Sequence, residues 1–366
     1  MPIRPADLQY MEVALNLSLS NLGHTWPNPC VGCVIARDNQ IVGRGATAPG
    51  GRPHAETIAL AKAGAAAQGA TAYVTLEPCS HHGKTPPCVD ALIASGIKRV
   101  VIAAVDPDPR VVGQGIARLK QAGIEVVVGV GEAEASNIHA GFFKAVRTGM
   151  PLVTLKLATT RNGFLDTSTL GRRWITSQTA RDHTHFLRAQ YDAILVGIGT
   201  VLADDPMLNV RLPGYKHRSP VRVIIDSQLR LPPESNIVKT AHDYKTLIVT
   251  VSKDSTKIKS LREAGVDILE SDSMELAWIL VQLYRDAGIT RVLVEGGFEV
   301  AKSTMGNGLA DRIYWYRNHL AAGAKARFNV QDLGLEPQPY FLDYALDSVK
   351  RFPCDELSLY KKLPSP

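Results

Sequence analysis

The sequence has no apolar run of the roughly 18 residues that a membrane-crossing helix needs, so no spanning segment is expected. Aromatic residues are scarce at 6%, and the 41 lysines and arginines are scattered along the chain. A nucleic-acid platform, which would cluster basic residues with interleaved aromatics, is therefore not expected. Cysteine is limited to five, an odd number, which argues against a disulfide framework and for metal or catalytic use of some of them. The opening stretch "MPIRPADLQYMEVALNLSLS" carries acids and amides where a signal peptide has an apolar block, so the expected compartment is the cytoplasm. Internal repeats and low-complexity tracts are missing as well, and the tail "LPSP" reads as a frayed terminus.

What is present is ordinary globular composition: 45% hydrophobic, 21% charged, and a net charge of +6 that suits a phosphorylated small molecule. A chain of 366 residues usually exceeds one core, so two domains are expected. In the first half "VGCVIA", "HAETIALAKAGAAA", "AYVTLE", "CVDALIASG", "RVVIAAV", "GIARLKQAG" and "EVVVGV" alternate strand-like and helix-like patterns. That order predicts an α/β fold with helices on both faces of a largely parallel sheet. A second α/β set begins at "LVTLKLA" and runs through "AILVG", "VRVIID", "TLIVT", "RVLVEGG" and "RIYWY". The junction at Gly149 to Pro151 separates the halves, giving expected domains 1–147 and 148–366.

Chemistry concentrates first around "RPHAETIAL" and "LEPCSHHGKTPPCVDAL". Pro53 leads into a helix that would carry His54 and Glu56 in its first turn. Cys79 follows a strand, and Cys88 opens a helix whose N-terminus favours a thiolate. One histidine and two cysteines are three ligands, which leaves a tetrahedral zinc one open position for water. A nearby non-ligating carboxylate, Glu56, can then shuttle protons. Zinc deaminases carry H-x-E followed by P-C-x-x-C. Here His54-Ala55-Glu56 and Pro78-Cys79 fit, but Cys88 comes after eight intervening residues instead of two. Two other readings stand beside this one: a capped helix with unrelated buried cysteines, and a closed four-cysteine structural site using Cys30 and Cys33 with Cys79 and Cys88. The open site is preferred because the closed one leaves His54 and Glu56 without a purpose, and Cys33 opens an apolar strand where a thiol is most often a small core residue. His81 and His82 are read as polar loop residues.

Together "NPCVGCVIA", "PHAE", "LEPCSHHGKTPPC" and "DPDPRVVGQG" resemble the deaminase half of the bifunctional riboflavin-biosynthesis deaminase/reductase family. The resemblance covers nearly the whole chain, and the "CSHHGKTPPC" spacer is its distinguishing mark. It implies a cytidine-deaminase-like α/β/α domain in which His54, Cys79 and Cys88 bind one zinc and Glu56 is the catalytic proton shuttle. It also places Asn28, Lys84 and Asp106 at substrate positions; a flexible ammonium at Lys84 suits the substrate's phosphate. Thr47 stands where the family often has histidine, and Asp108 where it has asparagine.

In the second half, Gly197 and Gly199 in "VGIGT", and Gly296 and Gly297 in "VEGG", follow strands and precede helical patterns, as phosphate-approach turns do. Neither fits G-x-G-x-x-G, so no Rossmann fingerprint is predicted. The resemblance carries more: "TVLADDP", "LNVR", "IIDSQLRLP", "WITS", "LRAQ" and "VEGG" are similar to the family's reductase domain, which implies a dihydrofolate-reductase-like α/β fold and NADPH. By that match Ala158, Trp174, Thr200, Asp204, Ser227, Gly296 and Gly297 fall at cofactor positions. Lys156, Arg172, Arg188, Leu208, Arg211 and Glu295 fall at substrate positions, and their cations suit a ribose phosphate. Three segments depart from the family: Thr160-Arg161-Asn162-Gly163 replaces S-L-D-G, Arg172 stands where a small polar residue is usual, and "WYRNHLAAG" replaces a more apolar A-P-K-L-L-G stretch.

The resulting expectation is a cytoplasmic bifunctional enzyme without nucleic-acid or membrane partners, self-associating as a homo-oligomer. It would deaminate 2,5-diamino-6-(5-phosphoribosylamino)pyrimidin-4(3H)-one hydrolytically and then use NADPH to reduce the ribosyl group of the resulting aminouracil to ribityl. Two alternatives remain at this level: a deaminase whose C-terminal half is only a dimerisation or docking module, and an RNA-editing base deaminase.

Overall fold

The structure, a computed structural model, describes residues 3–81, 86–165, 171, 174–323, 326–335 and 343–364. The chain divides into two compact units, Met1–Met150 and Pro151–Pro366.

In the first unit the order is α1 (Pro5–Ser20), β1 (Gly32–Arg37), β2 (Gln40–Ala46), α2 (Ala55–Ala63), β3 (Thr71–Leu76), α3 (Cys88–Ala94), β4 (Arg99–Ala104), α4 (Gln114–Gln121), β5 (Glu125–Val128), α5 (Glu132–Ile138) and α6 (Ala140–Thr148). The sheet runs β2-β1-β3-β4-β5. Only β3, β4 and β5 are mutually parallel; β1 is antiparallel to both its neighbours. The expected largely parallel sheet is therefore a mixed one here. The reason is a hairpin the periodicity did not reveal, closed by Asp38 and Asn39, both at positive φ (51° and 60°), the conformation of a tight two-residue turn. Strand β2 reads poorly because of Gly43 and Gly45, and packing explains both: a Cβ there would stand 2.2 Å from the Ala59 carbonyl oxygen and 2.5 Å from that of Ala55. Bare glycines let α2, the helix that starts after His54, lie directly on the sheet.

The second unit contains β6 (Leu152–Thr159), α7 (Gln178–Arg188), β7 (Ala193–Gly197), α8 (Ile198–Asp204), β8 (Val221–Ile225), α9 (Asn236–Lys239), β9 (Thr246–Thr250), α10 (Ser255–Glu263), β10 (Asp267–Glu270), α11 (Leu276–Ala287), β11 (Arg291–Glu295), α12 (Phe298–Gly306), β12 (Arg312–Asn318), β13 (Tyr344–Arg351) and β14 (Asp355–Lys362). Among the described residues the sheet has nine strands, ordered β10-β9-β8-β7-β11-β6-β12-β14-β13. The first seven are parallel, and β14 and β13 close the edge as an antiparallel pair. Central strands such as β7 and β11 are apolar on both faces because helices cover both. Their carboxyl ends carry Gly197 and Glu295, and β6 sets Lys156 in register opposite Glu295. In open α/β sheets this edge is where ligands bind.

Candidate active sites

His54 is the N-cap of α2 and Glu56 its second residue, so the histidine stands just before the expected first turn and the glutamate within it. Cys79 follows β3 through Pro78, and Cys88 is the first residue of α3. The His54 Nδ1, Cys79 Sγ and Cys88 Sγ atoms all lie within 4.8 Å of one another, with Nδ1 3.2 Å from Cys88 Sγ and 3.7 Å from Cys79 Sγ. Tetrahedral zinc with ordinary Zn–N and Zn–S bonds holds such atoms about 3.5–3.8 Å apart, so these three residues fit the metal. The α3 N-terminus contributes directly: the Cys88 backbone N–H donates to Cys79 Sγ at 3.3 Å. The Cys79 and Cys88 side chains are hydrogen-bonded to each other. The hydrogen bond from Cys88 pulls the Cys79 thiol down to about 4, while the same contact and burial push Cys88 well up. A soft thiolate thus already faces the ligand cluster.

Glu56 is buried, and burial together with the Cys79 charge pushes its carboxyl above the usual range, against the pull of His54. That suits a group that must take up a proton and give it back. Cys33 and Cys30 lie elsewhere. Cys33 sits fully buried in β1, its thiol pushed well up by burial and then by the charge of Glu56; Cys30 donates to the Ser18 carbonyl at 2.6 Å. Among the described residues His54, Cys79 and Cys88 form the one cluster of metal-ligating type, so the four-cysteine alternative has no geometric basis.

Asn28 donates its amide to the Gly51 carbonyl at 2.9 Å. Asp106 is buried, its carboxyl raised to about 6 by burial first, and its Oδ1 accepts the Asp108 N–H at 2.8 Å. Asp108 is held by Arg110, which keeps its carboxyl low. Thr47 faces inward: its hydroxyl accepts the Val31 N–H at 3.0 Å. Lys84 and His82 lie outside the described residues. His81 is half-buried, with its Nδ1 lacking a hydrogen-bond partner.

In the second unit Arg188, the last residue of α7, donates Nε and a terminal nitrogen to the two Glu295 oxygens at 2.7 and 2.9 Å. Lys156 Nζ stands 3.9 Å from Glu295 and 5.9 Å from the Tyr316 ring centroid. Burial lowers the Lys156 ammonium; it is also the largest single effect on Glu295, raising it, but the charge and hydrogen bonds of Arg188 together with the charges of Lys156 and His185 outweigh it and hold the carboxyl low. Asn209 ties the cluster together. Its carbonyl accepts from Arg188 at 3.0 Å and lies 3.2 Å from His185 Nδ1, and its side-chain oxygen accepts from Arg211 at 3.0 Å. Sequence reasoning missed Asn209 and His185, though both were signalled: Asn209 lies inside "LNVR", and His185 precedes Arg188 by three residues, on the same face of a helix. Leu208 is buried with φ 49° beside them.

Gly296 and Gly297 have φ of 74° and 80°, and Gly297 is the N-cap of α12. A Cβ on Gly297 would stand 2.8 Å from Thr200 Oγ1, a buried hydroxyl with no hydrogen-bond partner. An orphaned hydroxyl beside bare, positive-φ glycines at a helix N-terminus fits a nucleotide phosphate. The other cofactor candidates stand on separate elements. Ala158 pairs with Tyr316 across β6 and β12; Ser227 follows β8, half-buried; Asp204 is exposed at the end of α8; Trp174 is 47% exposed under the Arg181 guanidinium. Arg172 lies outside the described residues.

Two of the segments that depart from the family pattern meet each other. Arg161 N–H donates to the Leu320 carbonyl at 2.7 Å, and the Asn162 amide both accepts from Ala322 N–H at 2.9 Å and donates to its carbonyl at 3.1 Å.

Residues 151–357 match the family described as the RibD C-terminal domain, and residues 5–104 match the cytidine and deoxycytidylate deaminase zinc-binding region. Riboflavin biosynthesis protein RibD of Aquifex aeolicus is 44% identical over 311 residues, 85% of this chain and 86% of the relative. Its counterpart from Escherichia coli strain K12 is 42% identical over 332 residues, 88% and 90% of the two chains. Among solved structures, Acinetobacter baumannii RibD superposes with a TM-score of 0.86 at 36% identity, covering 98% of this chain and 99% of the other. A deaminase/reductase from Thermotoga maritima gives a TM-score of 0.85 at 33% identity with the same coverage.

Fold and sites define a two-part enzyme, a cytidine-deaminase-like zinc domain joined to an NADPH-dependent reductase domain. The chain belongs to the RibD family, the bifunctional deaminase/reductases of riboflavin biosynthesis. The docking-module and RNA-editing alternatives are thereby displaced. No helix among the described residues is long and apolar enough to cross a membrane.

Proposed function

We propose the following division of labour. The first unit deaminates the diaminopyrimidine ribotide: His54, Cys79 and Cys88 hold zinc, and Glu56 moves the protons. When bound, zinc supplies the Lewis acidity that brings the ionisation of water toward neutral pH. Glu56 takes the two protons of the attacking water in turn, passing one to the ring nitrogen beside the amino-bearing carbon and the other to the departing amino group, so that water and the amino-bearing C=N unit become a carbonyl, a ring N–H and ammonia. Asn28, Asp106 and Lys84 hold the substrate, Lys84 by its phosphate.

The second unit reduces the ribosyl group. Thr200, Gly296 and Gly297 receive NADPH together with Ala158, Trp174, Asp204 and Ser227. Lys156, Arg172 and Arg211 offer positive charge to the ribose phosphate, while the Arg188–Glu295 pair and Leu208 fix the sugar's position. We place the enzyme in the cytoplasm, where thiol ligands stay reduced, as a self-associating chain acting on small molecules.

The observation that carries this reading is the convergence of His54, Cys79 and Cys88 beside a buried Glu56. Glu56→Gln tests it: zinc and fold should persist while deamination falls by at least about 100-fold. In the same series Cys88→Ala should lose the zinc and Cys30→Ala should keep it. Normal deamination by Glu56→Gln, or zinc that depends on Cys30, would overturn the assignment.

A further inference from the structure

Glu77 lies between β3 and Pro78, two residues before Cys79, and is only 3% exposed. Backbone groups of one distant segment fill its carboxylate. Oε2 accepts the N–H of Gly113 at 3.0 Å and that of Asp106 at 3.4 Å, and Oε1 accepts the N–H of Ile116 at 3.2 Å. These donors bracket the stretch from Asp106 to the first turn of α4, the stretch that carries both Asp106 and Asp108.

Helix α4 needs such a partner. Its N-cap is Gly113, at φ 73°, which has no side chain to satisfy the free N–H groups of the first turn. A carboxylate from 36 residues away does so instead, with its charge aligned to the helix dipole. Gly115 completes the contact: a Cβ there would stand 2.3 Å from the Pro78 carbonyl oxygen, so the first helical turn rests on the Glu77–Pro78 backbone itself. The "LEP" and "GQG" stretches are therefore two halves of one joint. On one side of it is the strand end that leads to Cys79. On the other is the loop in which Asp106 accepts the Asp108 N–H at 2.8 Å.

We propose that Glu77 is a positioning residue of the deaminase: it locks the 106–113 loop to the segment bearing Cys79 and so sets where Asp106 meets the pyrimidine, without touching metal or substrate. The inference rests on the reading above, in which Asp106 binds substrate beside the zinc ligands. A displaced group that holds the substrate equally in the ground and transition states weakens binding more than it slows the chemical step.

The test uses the full chain and two variants. Glu77→Gln keeps the size of the side chain but turns an amide NH2 toward backbone donors. Gly115→Ala keeps the carboxylate and wedges the helix off Pro78. For each, zinc content, deaminase kcat and KM, and NADPH oxidation with the deaminated intermediate are measured. The expected signature in both is zinc retained, reductase activity unchanged, and KM for the diaminopyrimidine ribotide raised about tenfold with kcat within about threefold of wild type.

Unchanged KM in the variants overturns the proposal. So does loss of zinc, which would make Glu77 a prop for the metal site. If Glu77→Gln fails to fold, Gly115→Ala decides by the same criteria. If instead the wild type does not deaminate, or Glu56→Gln deaminates normally, the underlying assignment has failed and the lock falls with it, a result separable from a failure of Glu77 alone.

Discussion

Arg188 grips Glu295 through both carboxylate oxygens, at 2.7 and 2.9 Å, joining the end of α7 to the end of β11 with both side chains largely buried. A buried pair of this kind is costly to break, since the survivor is left charged in a site of low polarity. Lys156, at 3.9 Å, is too far from Glu295 to replace a bidentate partner. Arg188→Ala should therefore destabilise the second unit by about 3–5 kcal/mol in urea unfolding. Combining Arg188→Met with Glu295→Leu should recover most of that stability but no reductase activity. An Arg188→Ala chain as stable as wild type would show that the pair is solvated and not structural.

Gly297→Ala tests the cofactor cradle. At φ 80° a side chain is strained, and its Cβ would press on Thr200 Oγ1 from 2.8 Å. A Cβ that crowds Thr200 fills part of the cradle, which predicts NADPH binding weaker by about tenfold or more, read by fluorescence titration, with zinc content and deamination unaffected. Undiminished NADPH affinity would move the phosphate site elsewhere.

The second unit should lose stability in mild acid through His185. Burial first, then the charges of Arg188 and Arg211, push its imidazole down to about 4 from the ordinary 6.5. Because the folded value is depressed, the contribution to stability is complete above 6.5 and is lost as pH falls through about 4: the unfolded chain takes up the proton first. Urea midpoints of the second-unit transition, measured at steps across that window, should fall with pH in wild type and fall less steeply in His185→Gln. Identical slopes would mean that His185 is not neutral in the fold. His183, beside the Tyr316 hydroxyl at 2.7 Å and also pushed down to about 4 by burial, contributes a separate part of the slope.

Much of this was legible in the sequence where residue type alone limits the alternatives. Few roles besides metal binding and proton transfer put His54, Glu56, Cys79 and Cys88 in that order, and strands buried on both faces announce themselves as apolar runs. What stayed hidden depends on partners far along the chain. Strand β2 owes its glycines to a helix that packs on them, and Glu77 looks like a surface acid until the N–H groups of residues 106–116 are seen around it. The departures at Thr160–Gly163 and in "WYRNHLAAG" read as two separate defects; in the fold Arg161 and Asn162 hydrogen-bond to Leu320 and Ala322, so the two segments form one joint.

The central claim, that this one chain performs both a zinc-dependent deamination and an NADPH-dependent reduction, is tested most directly by incubating the purified full chain with the diaminopyrimidine ribotide, with and without NADPH, and following ammonia, NADPH and the pyrimidine products together. Without NADPH, ammonia should be released in amounts equal to the substrate consumed, and the ribosylated aminouracil should accumulate. With NADPH, the ribityl product should form and one NADPH should be oxidised for each ammonia released. Ammonia release with no NADPH oxidation, in a chain whose second unit is folded, would contradict the bifunctional account; no ammonia release by the zinc-loaded chain would contradict its first half.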